Sequence, residues 1–123
     1  MRIMIVDDSK AFRDAVSHLL SKNPLYQVVA EAENGKLAYE MFEKYNPDVI
    51  LMDIEMPILN GIEATRKILN INSSIKIIAV TAYKEKIYMS DIEDIGFSSF
   101  VYKNNVYEQL EEAISKSMTN NTC

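Results

Sequence analysis

The chain has 123 residues, 48% of them hydrophobic, which is the size and apolar content of one domain with one core to bury. Its 18 acidic and 13 basic residues leave a net charge of −5, and this excludes the strongly basic footprint of a direct nucleic-acid binder. The longest apolar runs, such as 49–52 and 77–80, fall far short of the ~20 residues a bilayer span needs. No secretory pattern opens the chain, and the single cysteine, Cys123, has no internal disulfide partner, so a cytoplasmic protein is expected, without membrane insertion.

Five short β-branched or apolar runs alternate with five helix-like segments. The first run, 2–6, leads into a helical face of Phe12, Val16, Leu19 and Leu20, with Ser9 placed to cap it. The second, 27–31, is followed by Leu37, Met41, Phe42 and Tyr45 at helical spacing. After the third, 48–52, come Ile62, Thr65, Ile68 and Leu69. The fourth, 76–81, precedes Ile87, Ile92 and Ile95, a helix stopped at Gly96, and the fifth, 99–102, precedes Val106, Leu110, Ala113 and Ile114. Alternation of this kind builds βαβ units, and right-handed crossovers then give an open parallel sheet covered by helices on both faces. An α/β doubly wound fold is expected, with sheet order 2-1-3-4-5 chosen partly by analogy with proteins of known order. Residues 1–118 form the expected domain and 119–123 a polar tail.

Ligands of such sheets gather beyond the carboxyl ends of the strands. Strand one ends in Asp7 and Asp8, strand three in Asp53, strand four in Thr81 and Ala82, and strand five in Lys103. Taken singly, each has an ordinary reading as a cap, a turn residue, a strand residue or a solvated charge. Their joint placement on one rim points to function. Three converging carboxylates call for a hard divalent cation, and Mg²⁺ suits one or two direct carboxylates, from Asp8 and Asp53, with Asp7 acting through water. A carboxylate such as Asp53 can accept a phosphoryl group when charge is neutralised around it. The Lys103 ammonium, the Thr81 hydroxyl and the Ala82 amide can each serve a phosphate oxygen.

Over 1–118 the chain resembles the receiver domains of bacterial two-component response regulators. The resemblance rests on Ile3-Met4-Ile5-Val6-Asp7-Asp8-Ser9, on Asp53-Ile54-Glu55-Met56-Pro57-Ile58-Leu59-Asn60-Gly61, on Ala79-Val80-Thr81-Ala82 and on Phe100-Val101-Tyr102-Lys103. It implies a flavodoxin-like fold and a phosphoprotein rather than an enzyme, taking a phosphoryl group onto Asp53 from a sensor histidine kinase or phosphotransfer protein. The Glu55 carbonyl would complete the Mg²⁺ shell, and Thr81 and Phe100 would form the switch. Glu55 and Tyr83 would tune the phosphoaspartate lifetime. The fourth helix, fifth strand and fifth helix would meet a downstream effector protein, with Tyr88, Phe100 and Tyr107 as contacts, and the chain would be a monomer or a weak phosphorylation-dependent dimer. One departure is Asn104, where many receivers carry proline after the lysine, often with a cis bond that asparagine would make costly. That feature is shared with receivers fused to helix-turn-helix domains, so a receiver part of such a transcription regulator is the alternative. A haloacid-dehalogenase-type phosphatase would want an aspartate at the position of Glu55, and a flavodoxin would not place Asp7 and Asp8 in its phosphate loop. His18, on the first helix away from the acidic rim, reads as a surface or packing residue.

Overall fold

The computed structural model describes residues 1–55, 60–82 and 89–119. In chain order these form β1 (Arg2–Val6), α1 (Lys10–Ser21), β2 (Gln27–Ala32), α2 (Gly35–Tyr45), β3 (Val49–Asp53), α3 (Gly61–Ile71), β4 (Lys76–Thr81), α4 (Met89–Ile95), β5 (Ser99–Tyr102), a 3₁₀ turn (Lys103–Asn105) and α5 (Val106–Thr119). The sheet is parallel throughout, in the order β2-β1-β3-β4-β5, as expected.

Side chains of a strand alternate between faces, and here the alternation sorts two cores. Met4, Val6, Ile50, Met52, Ile77 and Ala79 pack with Phe42 of α2, Ala64 and Ile68 of α3 and Ile92 of α4. Their neighbours Ile3, Ile5, Val49, Leu51, Ile78 and Val80 pack with Val16 and Leu20 of α1 and Leu110 and Ile114 of α5. Central strands covered on both faces must be apolar throughout, which is why β3 and β4 read as unbroken hydrophobic runs. Helices α1 and α5 therefore cover one face, and α2, α3 and α4 the other. The connections leaving β1 and β3 diverge to opposite faces, and this opens a crevice at their carboxyl ends.

Local signals fix the helix ends. The Ser9 hydroxyl accepts from the Phe12 amide at 3.2 Å, capping α1, and Asn34 and Asn60 cap α2 and α3 in the same way. Gly96, with φ of 113°, ends α4 in a conformation that side chains disfavour. Three boundaries differ from the sequence reading. Asp48 lies outside β3 because its carboxylate accepts from the Arg2 amide at 2.8 Å. Strand β2 runs on to Ala32, whose carbonyl accepts from the Asp7 amide at 3.0 Å. Helix α5 continues to Thr119, past the expected end of the domain at residue 118. Ile87 of the expected fourth helix, and Met56 to Leu59 of the stretch between Asp53 and Gly61, lie outside the described residues.

Candidate functional site

Register alone brings the acids together. Val6 pairs with Met52, so Asp7 and Asp53 occupy the next rung of adjacent strands, and Asp53 pairs onward with Val80, the neighbour of Thr81. Thr81 pairs with Tyr102, and the chain then turns at once into Lys103. Asp7, Asp53 and Thr81 are buried, Lys103 is half-buried, and Asp8, Glu55 and Ala82 are exposed at the rim.

Carboxylate oxygens of Asp7, Asp8 and Asp53 lie within 4.8 Å of one another. Lys103 Nζ is 2.8 Å from Asp7 Oδ2 and 3.4 Å from Asp53 Oδ2, so one ammonium faces two buried carboxylates. It also stands 4.7 Å from the centre of the Phe12 ring, a cation–π contact that supports it from α1. Asp7 Oδ1 accepts from the Ser9 amide at 2.8 Å, and Asp53 Oδ1 from the Glu55 amide at 3.0 Å. Asp7 Oδ2 is buried and ion-paired, yet no hydrogen bond of good geometry reaches it.

Burial pushes the Asp53 carboxyl up to about 6; the Glu55 amide opposes this, the Asp7 charge adds to it, and Lys103 draws it down. Burial pulls the Lys103 ammonium down, but pairing with Asp7 and the charge of Asp53 outweigh it and hold the group above its ordinary value. The cluster is thus short of positive charge: one lysine stands against three acids. A hard divalent cation fits that donor set, which offers oxygen from three carboxylates and contains neither histidine nor thiolate.

A model of the response regulator receiver domain matches residues 3–115. The chain belongs to this family. The relatives agree: it is 37% identical over 117 residues to the chemotaxis protein CheY of Bacillus subtilis, spanning 95% of this chain and 97% of that protein. It is 39% identical over 114 residues to the transcriptional regulatory protein DegU of Brevibacillus brevis, spanning 93% of this chain but 48% of that one. The receiver is thus about half the length of some curated relatives and almost the whole of others. Among solved structures, the response regulator domain of Thermotoga maritima CheB superposes with a TM-score of 0.86 at 31% identity, covering 96% of both chains. A LuxR-family regulator from Aurantimonas gives 0.89 at 32%, covering 97% of this chain and 85% of that one.

Among the described residues of this receiver, no helix is long and apolar enough to cross a membrane. None of the described peptide bonds is cis; Lys103 instead opens the 3₁₀ turn that leads directly into α5. Phe100 is half-buried, packs against the α2-α3-α4 core, and meets Tyr102 edge-on at 5.3 Å. Tyr107 on α5 is 64% exposed, and His18 is exposed on α1. Tyr83 and Tyr88 lie outside the described residues.

Two features were missed from sequence. The Phe12 ring over Lys103 was read only as part of an apolar stripe. Arg13 went unread, although a cation in the first turn of a helix opposes the macrodipole and signals that tertiary contacts hold it there. Gly61 is a third: its backbone φ is not positive, but a Cβ there would overlap the Asp53 carbonyl and lie 2.6 Å from Ile54 Cα, so the need at this position is for space.

Proposed function

We propose that this receiver takes a phosphoryl group onto Asp53 and transmits the event through the surface formed by α4, β5 and α5. The observation that carries the reading is the Lys103 ammonium standing between Asp7 and Asp53 at the carboxyl edge of the sheet. Asp7, Asp8 and Asp53, with the Glu55 carbonyl, would hold Mg²⁺, which when bound supplies charge neutralisation to the phosphoryl oxygens. Asp53 Oδ attacks phosphorus as the bond from phosphorus to the donor breaks, and the leaving imidazole, or acetate in the small-molecule case, takes the bonding electron pair. Ionised Asp53 is the competent nucleophile, and Lys103 favours that form. As the new acyl phosphate forms, Lys103 shifts its pairing from the carboxylate to a phosphoryl oxygen, and the Thr81 hydroxyl and Ala82 amide bond to others. Glu55 and Tyr83, two residues beyond Asp53 and Thr81 in sequence, would tune the lifetime of the product.

The donor would be a sensor histidine kinase or a phosphotransfer protein in the cytoplasm, and the recipient of the signal an effector protein, with the receiver a monomer or a weak phosphorylation-dependent dimer. Similarity to a transcriptional regulator of which this chain spans 48% supports a second reading, in which the receiver serves a DNA-binding domain. Beyond its own phosphorylation and dephosphorylation, no catalysis is proposed.

Intact mass after incubation with acetyl phosphate tests the reading. One added phosphoryl group on the wild type with Mg²⁺, and none with EDTA or in Asp53→Asn, is the expected result. Addition to Asp53→Asn, or addition indifferent to EDTA, would overturn it.

A further inference from the structure

Every polar group of Asp7 is held in place. Its amide donates to the Ala32 carbonyl at 3.0 Å, its Oδ1 accepts from Ser9, and its Oδ2 pairs with Lys103. Its carbonyl accepts from Arg13 Nη1 at 2.6 Å, and the same guanidinium donates through Nε to Glu31 Oε1 at 3.0 Å. The arginine side chain is only 13% exposed, and although Glu31 lies at the surface the guanidinium is anchored at both ends. One anchor is β2, at Glu31; the other is the peptide that joins Asp7 to Asp8.

We propose that Arg13 is a positioning residue for the cation site: it fixes the plane of the Asp7–Asp8 peptide and so aims the Asp8 carboxylate at the oxygens of Asp7 and Asp53. This rests on the reading of the acid cluster as a Mg²⁺ site. Asp8 is exposed, and among the described residues none donates a hydrogen bond to its carboxylate, so the peptide that carries it has the main say in its direction. The planar fork suits the task because two donors engage two fixed acceptors at once, which an ammonium cannot do in the same geometry. Glu31 in turn keeps the guanidinium from swinging into the acid cluster as a competing cation.

The sign of the effect separates positioning from charge. Removing a cation near three carboxylates strengthens divalent binding by Coulomb attraction alone. Losing a group that orients a ligand weakens it, by roughly 10-fold where such supports have been removed from other metal sites. The two accounts predict opposite changes.

The test is the Mg²⁺ dissociation constant by titration calorimetry for the wild type, Arg13→Ala, Arg13→Lys, Lys10→Ala and Asp8→Asn, with circular dichroism melts beside each. Lys10 is the charge control, since its partner among the described residues is Asp14, one turn along the exposed side of α1. The expected result is binding weakened about 10-fold in Arg13→Ala, less in Arg13→Lys, unchanged or tightened in Lys10→Ala, and abolished in Asp8→Asn. Binding by Arg13→Ala as tight as the wild type, or tighter, would overturn the proposal while leaving the Mg²⁺ site standing. Should Arg13→Ala fail to fold, Arg13→Lys decides on the same criterion. No Mg²⁺ binding by the wild type would overturn both the proposal and the site on which it rests.

Discussion

Asp53 is a buried carboxyl beside another buried acid, and its ionisation works against the fold. Its value is about 6 in the folded protein and near 3.8 in the unfolded chain. Between those values the native state keeps a proton that the unfolded state has lost, so the contribution to stability is full below the unfolded value and is lost as pH rises through the folded one. In EDTA, Asp53→Asn should therefore gain on the wild type between about pH 4 and pH 7, by roughly 1–2 kcal/mol once solvent screening at the open rim is allowed for. Urea denaturation at a series of pH values measures this directly. A stability difference that stays constant with pH would show that the acid cluster carries no such burden. Saturating Mg²⁺ should narrow the gap at neutral pH, since a cation bound only to the native wild type stabilises it by mass action. The same burden explains the placement of Lys103: a half-buried ammonium shared between two acids relieves the repulsion in part, and leaves room for more positive charge.

At the scale of elements, the start of α3 lies close against the backbone at the end of β3, beside the site. Gly61 starts α3 against the carbonyl of Asp53 itself, so a methyl group there must push either the helix or the strand end that carries Asp53. Gly61→Ala is expected to cost about 1–3 kcal/mol as overpacking and to slow phosphorylation by acetyl phosphate. Ser9→Ala, which removes only a cap, should cost about 1 kcal/mol. Urea midpoints and phosphorylation time courses for both variants check the pair, and a Gly61→Ala protein with wild-type stability and rate would remove the argument. The elements themselves were legible because each strand keeps period two or a continuous apolar run while each helix keeps its 3.6-residue stripe, as Phe42 with Ala38 and Leu110 with Ile114 illustrate. The acid cluster was legible because strand ends share a rim in any doubly wound sheet. Long side chains that reach across elements were not: nothing in the local sequence says that Arg13 spans from α1 to Glu31 on β2, or that Phe12 lies under Lys103, since both depend on the approach of separate elements. The one-residue shift at Asp48 has the same origin, in a carboxylate that finds the Arg2 amide 46 residues away.

The whole molecule joins a charged edge to a distant face through one short strand. Beside β5, between α4 and α5, lies a cleft of about 580 Å³ lined by Ile92, Phe97, Phe100, Tyr102, Gln109 and Ala113 among others. Phe100 and Tyr102 alternate with Val101, so both aromatic rings stand on the cleft side while Val101 is buried in the opposite core. Tyr102 pairs with Thr81 and precedes Lys103, so a phosphoryl group on Asp53 that drew Thr81 and Lys103 toward it, as proposed, would pull on the strand that carries the rings. On the proposed switch, phosphorylation would favour a second packing of Phe100 against this cleft only insofar as Thr81 and Lys103 met the phosphoryl group better in that state. Phe100→Ala should then accept the phosphoryl group at close to the wild-type extent, because it touches none of the reacting atoms. It should lose the change in amide exchange that phosphorylation produces along α4, β5 and α5 in the wild type. Hydrogen exchange read by mass spectrometry, with and without acetyl phosphate, checks both halves. A phosphorylated Phe100→Ala protein that shows the full wild-type exchange response would mean that the signal crosses the molecule by a route that does not need this ring.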